Sequence, residues 1–434
     1  MAEAINWQTV RAKYDPEFVW LCHMPYNGAY ARRMFPADEF SAMLEQNERA
    51  TLAGAAVCTT RNFHVVQGGT PCGVLYLEPD WSSAYANPSA TTRRIEVMAS
   101  WVNELGVPVA ECARSTLARL AREIHDEHGL TLLFGFEVEV VFRPGNDGAS
   151  EEEMLSMVEE IVRALRKAGV PVKQFHAEVA RHQWEFILGP GPPMEAVDLL
   201  VRARRVIGFV ARAHGSQVTL HPRPVATEVG TGAHVHISAT PITSTTTTSS
   251  PDAAAAAAAA TPDSFFAGIL QHIRALAAFT MPLDVSYDRV RPGIWSSGVY
   301  VCWGWQNREV PLRRISSNRF EIKTLCGTAN PYVAMAALLA AGLDGMQRRL
   351  SFTTEDCQQD PSRLSDAERE ALGIRDRLPV SIEESLKALE WDFTLCSIIG
   401  ERLVTPYAAV TREWNDHLRT MDEHERHEFL LANY

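Results

Sequence analysis

Residues 130–142, LTLLFGFEVEVVF, constrain this chain more than any other stretch. The second half of the run is apolar except for two glutamates. Side chains alternate between the faces of a strand, so Glu137 and Glu139 share one side while Phe136, Val138 and Val140 point to the other, toward a core. A sheet with an acidic face must form around this strand. Two neighbouring carboxylates repel each other unless positive charge lies between or above them, and metal ions are the usual answer. The plainer alternative is a solvent-exposed edge face.

Three further runs have the same character. FHAEVARHQWEFILGP, residues 175–190, carries Glu178 at the end of one strand-like segment and Glu185 in the next. GTGAHVHIS, residues 230–238, places His234, His236 and Ser238 on one face and Ala233, Val235 and Ile237 on the other. Histidines spaced in this way behind a glycine-rich loop serve as ligands about as often as they serve structure. RFEIK, residues 319–323, sets Arg319, Glu321 and Lys323 opposite Phe320 and Ile322, and NREVPLRR just upstream adds Arg308, Arg313 and Arg314. Phosphate calls for cations at this density, and arginine meets it with a bidentate fork. A surface salt-bridge network is the bland alternative. Together the runs offer five glutamates and one histidine, an oxygen-rich set suited to Mg²⁺ or Mn²⁺ rather than zinc. Two such ions can clamp a phosphoryl group in transfer.

The rest of the chain narrows the setting. At 434 residues it can hold two or three domains. A net charge of -12 argues against a nucleic-acid partner. The eight cysteines are scattered with no C-x-x-C pair, which fits reduced thiols in a cytoplasmic protein. Charges occupy the N-terminal stretch where a signal peptide needs an apolar run, and no membrane span is expected. Before residue 110, short strand-like runs (FVWLCHM, AAVCTT, FHVVQG) alternate with turns; residues 112–129 and two later segments closing with glycine read as helices, and the chain is mostly helical after 328. Residues 242–264 form a Thr/Ser run followed by eight alanines, with little to bury, and read as an exposed insertion.

The order of these elements is specific. GFEVEVVF, EVARHQWEFILGP, GTGAHVHIS, SYDRVRPG, WGWQNREVPLRR, RFEIK and NPYVAMAALLAAGLDGM occur in the sequence of motifs found in glutamine synthetases. Over nearly all of residues 108–434 the chain resembles that family, and WGWQNREVPLR and FEIKTLCGTANPY resemble its FluG-type fungal branch. The resemblance implies an α+β fold: a β-grasp-like N-terminal domain over residues 1–107 and a catalytic domain over 108–434, with an antiparallel sheet, helices and the insertion at 242–264. It implies a homo-oligomeric ring, ATP as co-substrate and two or three Mg²⁺ or Mn²⁺ ions. Glu139, Glu178 and Glu185 would hold one metal, and Glu137, His234 and Glu321 a second. His236, Ser238, Arg313 and Arg319 would lie along the nucleotide. Arg289 would grip the substrate carboxylate, Gly230 would sit in the substrate loop, and Arg308 would stabilise the γ-phosphoryl group in transfer. Lys323 stands where ammonia-using members carry arginine.

Three departures bear on the nucleophile. Val229 replaces an asparagine before Gly230. The flap after SYDRVRPG reads Gly293-Ile294-Trp295, where members using ammonia carry a glutamate. Pro25 stands three residues before the turn glycine Gly28, where an aspartate is usual. The expected activity is therefore a carboxylate–amine ligase acting through an acyl phosphate, with L-glutamate as the acid and an organic amine favoured over ammonia. Two alternatives stay open: a non-catalytic regulator that kept the fold, and a guanidino phosphotransferase.

Overall fold

The computed structural model describes residues 5–70, 72–88, 91–144, 150–242 and 261–434. Its first sheet contains β1 (Phe18–His23), β2 (Ala31–Pro36), β3 (Thr51–Ala53), β4 (Val74–Pro79), β5 (Tyr85–Ala86) and β6 (Arg94–Val102). The order is β2-β1-β6-β4-β3, with β5 also on β6; β1 and β6 are parallel and the other pairs antiparallel. Two runs expected here as strands are not. AAVCTT forms most of a 3-10 turn, Gly54–Cys58, and FHVVQG contributes one isolated bridge, Thr59 with Val65. Neither run alternates apolar with polar side chains along its length, and each reaches the core through a single apolar side chain, Val57 and Val66.

The second sheet carries the four acidic or basic runs. Its strands are β7 (Leu130–Pro144), β8 (Val172–Ala177), β9 (Gln183–Leu188), β10 (Ser216–Thr219), β11 (Val235–Pro241), β12 (Trp303–Trp305), β13 (Leu312–Ser316) and β14 (Arg319–Ile322). The order is β12-β13-β14-β11-β7-β9-β8, with β10 on the end of β7. The sheet is antiparallel as expected except at β12–β13, which run parallel. Phe136, Val138, Val140, Val235 and Ile237 are all buried, so the alternation read from the sequence sets the faces. Helices Ala113–Asp126 and Pro193–Ala213 pack against β7.

Behind them lies helix Pro331–Gln347, buried from Pro331 through Met346, as a helix apolar on nearly every side must be; its one buried charge, Asp344, pairs with His272. Asn330 caps it by accepting the Tyr332 and Val333 N–H groups, with Pro331 in the first turn. It crosses helix Pro262–Thr280 with backbones touching: a Cβ on Gly345 would stand 2.1 Å from the Ser264 carbonyl oxygen. Of the expected insertion, residues 243–260 lie outside the described residues. Its far boundary is corrected. Thr261 accepts the Ser264 N–H, Pro262 opens the helix, and Ser264 is buried, so residues 261–264 belong to the folded domain. Among the described residues no helix is long and apolar enough to cross a membrane.

Candidate active site

Cross-strand register lays a belt of ionisable side chains over five neighbouring strands. Glu321 on β14 lies opposite His236 on β11. Glu137 and Glu139 stand on β7; Glu139 faces Glu185 on β9, which faces His176 on β8. Over this belt sits a cavity of ≈ 380 Å³, within the range of small-molecule sites. The predicted residues Glu137, Glu139, Glu178, Glu185, His234, Glu321, Gly230, Arg289, Trp295, Arg308, Arg313 and Lys323 all line it. His236 meets it through Glu137, Nε2 to Oε1 at 2.8 Å. Ser238 and Arg319 do not line it. They face each other one pleat further along β11 and β14, on the side that runs away from the cavity.

The belt is electrostatically uneven. Burial opposes ionisation of Glu137, but hydrogen bonds from His234 and His236 outweigh it and hold the carboxyl well below its usual range. Glu321 is lowered against the same burial by His234 and Lys323, whose Nζ is 3.1 Å from its Oε1. At the other end, burial and then repulsion from Glu137, Glu139, Glu178 and Glu321 push Glu185 up to about 9. Burial also raises Glu139. This end is short of positive charge.

Ligand atoms converge in two sets, each within 4.8 Å: Glu137, His236 and Glu321, and His176, Glu178 and Glu185. These groupings differ from the expected ones. Glu139 is adjacent to the second set, but its Oε2 accepts from Gln183 Nε2 at 2.7 Å and the Gly232 N–H at 2.6 Å. His234 adjoins the first set, with Nδ1 3.0 Å from Glu137 and 3.2 Å from Glu321, and Nε2 3.3 Å from Arg289.

The cations divide into held and free. Arg289 is buried, donates to the Lys323 carbonyl at 3.1 Å, and leaves its Nε without a partner among the described residues. Gly230 packs directly on it: an added Cβ would be 2.8 Å from Arg289 Cβ and 2.5 Å from the Pro222 carbonyl oxygen. Arg313 donates to Glu321 and to Gln306, both at 2.9 Å. Arg308 is exposed and engages no described side chain or carbonyl. Arg314 points away, to Asp263 at 3.0 Å, and packs on Trp303 and Phe320. Pro25 is remote from the cavity; its carbonyl accepts from Asn330 Nδ2, and Gly28 lies against Thr328. Within this chain, Pro25 therefore says nothing about the nucleophile.

The glutamine synthetase catalytic-domain model matches residues 142–429. Gamma-glutamylpolyamine synthetase GlnA3 of Streptomyces coelicolor is 33% identical over 368 residues, which cover 79% of this chain and 77% of that protein. The chain belongs to the glutamine synthetase family. Protein FluG of Emericella nidulans is 38% identical over 446 residues, covering 98% of this chain but only 50% of FluG. The chain thus spans about half the length of that relative. Among solved structures of the same fold, a GmaS/ADP complex superposes with a TM-score of 0.80 at 22% identity, covering 98% of this chain and 99% of the other. A structure described as a novel glutamine synthase homolog gives 0.79 at 25%, covering 96% and 99%.

Glutamine synthetases are ATP-dependent ligases that use divalent ions, and the donors present fit such ions. They are hard carboxylate oxygens with a few imidazoles. The surplus of buried carboxylates around Glu185 is what a bound cation would relieve. Three residues escaped the reading of the sequence. His176 and Gln183 each stand two residues before a glutamate already singled out, so the same alternation would have found them. Glu309 gave no signal, because its partners lie in a different loop.

Proposed function

We propose that this glutamine synthetase homologue joins a carboxylic acid, L-glutamate, to an organic amine at the expense of ATP, with two or three Mg²⁺ or Mn²⁺ ions. What carries the reading is one cavity that combines two metal-capable sets, the arginines Arg289, Arg308 and Arg313, and a flap with no free carboxylate. The ions would be held by Glu137, His236 and Glu321 with His234, and by Glu178 and Glu185 with Glu139 and His176. When bound they neutralise phosphate charge and orient phosphoryl transfer.

The chain's own residues supply the rest. Arg289, buried with an unpaired Nε, is the anchor for the acid's carboxylate. Arg308 is free to follow the γ-phosphoryl group as its charge redistributes, and Arg313 and His236 with Ser238 and Arg319 mark the path of the nucleotide. The acid's oxygen attacks the γ-phosphorus and the bond to ADP breaks, giving an acyl phosphate. The amine then attacks the acyl carbon and phosphate leaves. Ammonium needs an anionic pocket and a base, and Trp295 supplies neither; its indole gives a flat apolar wall for an organic substituent. The relative GlnA3, a gamma-glutamylpolyamine synthetase by name, supports an amine substrate. The same proposal includes the division at residue 107, a cytoplasmic setting and a homo-oligomeric ring.

The test is phosphate release from ATP with glutamate and a panel of ammonium, alkyl, polyamine and aryl amines, in Mg²⁺ and in Mn²⁺, with product analysis. An amide with ADP and phosphate is expected. Ammonium as the best nucleophile would remove the amine preference. A phosphoguanidine with ADP would establish a phosphotransferase, and absence of any turnover a regulator.

A further inference from the structure

The flap loop is fastened by a residue that the ligase chemistry does not use. Glu309 is a buried carboxylate, 8% exposed, at the base of the segment that also carries Arg308 and Arg313. Its Oε1 accepts the Trp295 N–H at 2.7 Å and its Oε2 the Gly293 N–H at 3.1 Å. It forms no ion pair with a described residue, so these two amides are its neutralising contacts. Both belong to residues in the left-handed region, Gly293 at φ 76° and Trp295 at φ 57°. A bulky aromatic seldom adopts that conformation unless its surroundings impose it.

Glu309 is itself rigidly held. Its own N–H donates to Asn307 Oδ1 at 2.9 Å, and Asn307 Nδ2 donates to the carbonyls of Cys357 and Gln359 at 2.7 and 2.9 Å. The flap returns beneath it: a Cβ on Gly298 would be 2.1 Å from the Glu309 carbonyl oxygen. With the Trp295 amide turned toward Glu309, the indole is left 64% exposed along the cavity wall.

We propose that Glu309 is a positioning residue for amine selection: it clamps the Gly293–Trp295 backbone to the segment bearing Arg308, and so fixes the indole wall against which the amine packs. The chain has thus used a carboxylate to shape the flap from below where ammonia-using members place one facing the reaction. This rests on the amine-ligase reading above.

The experiment combines Glu309→Ala, Glu309→Gln and Trp295→Ala with the double variant Trp295→Ala/Glu309→Ala. Steady-state kinetics would be read separately for amine, acid and ATP. Glu309→Ala should raise the amine KM about tenfold, with acid and ATP KM within roughly twofold. Glu309→Gln, which keeps one acceptor oxygen, should fall between. In the Trp295→Ala background, Glu309→Ala should add nothing beyond roughly twofold, since a residue acting through the indole cannot be additive with its loss. Hydrogen–deuterium exchange of the peptide over residues 290–298 should show protected amides that Glu309→Ala exposes. Equal effects in both backgrounds, or a parallel rise in all three KM values, would overturn the proposal, as would unchanged exchange. If Glu309→Ala does not fold, Glu309→Gln decides by the same criteria. If the wild type turns over no amine, the amine-ligase reading fails, and exchange alone decides whether Glu309 holds the flap.

Discussion

The crowding around Glu185 predicts a measurable proton. Its carboxyl lies opposite Glu139 across β7 and β9, with Glu178 close by, and is pushed up to about 9 by burial and then by those charges. At pH 7, below that value, the metal-free protein carries a proton there. A divalent ion needs the carboxylate, so binding must expel that proton. The perturbation is Glu185→Gln, compared with wild type by titration calorimetry of Mn²⁺ in buffers of different ionisation enthalpy. The buffer dependence gives the number of protons released. Wild type should release about one proton more than the variant at pH 7, and about half a proton more at pH 9. The sign for stability follows from linkage. A carboxyl raised in the folded state contributes stability that is present below its unfolded pKa and lost as pH rises through about 9. The metal-free wild type should therefore lose melting temperature between pH 5 and pH 9, and the variant should lose less. If Mn²⁺ binds wild type and variant with equal proton release at pH 7, the reasoning about Glu185 is wrong.

Three other perturbations test the remaining parts. Glu139→Ala should abolish metal-dependent turnover while costing about 1–3 kcal/mol of stability, because Gln183 and the Gly232 N–H lose their acceptor; wild-type turnover at saturating Mg²⁺ would remove Glu139 from the site. His272 lies 2.9 Å from Asp344 and 2.6 Å from Asp392, and those carboxylates raise its pKa against burial. Its contribution is full below the unfolded value of about 6.5 and fades as pH rises through the raised folded one, so the melting-temperature gap between wild type and His272→Gln should be wide at pH 6 and narrow on going to pH 9. Replacing residues 243–260 by a short Gly/Ser linker should leave turnover and melting temperature nearly unchanged, since the segment's composition offers nothing to pack; carrying the deletion through Thr261 should cost about 1 kcal/mol for the lost cap, and an equal loss from both deletions would contradict this division.

The sequence alone determined which side chains share a face along the long strands, though local pattern misread the short runs AAVCTT and FHVVQG. A strand has a side-chain period of two, so the placement of Glu137 and Glu139 against Phe136, Val138 and Val140 needed no partner to be readable. The same holds for His236 against Val235 and Ile237. Motif order then carried the family and most of the cavity's lining. What only the tertiary structure decided depends on distances that no local pattern encodes. Cross-strand register brought His176 into line with Glu185 and left Glu139 bonded to Gln183. Long-range packing placed Pro25 against Asn330, far from the cavity, and turned Arg314 outward to Asp263 while Arg313 turned in. Glu309 is the sharpest case. In the sequence it is one more charge in an arginine-rich loop. Folding buries it beneath a loop 14 residues upstream, where the cost of an unpaired buried carboxylate selects two particular backbone amides as its partners.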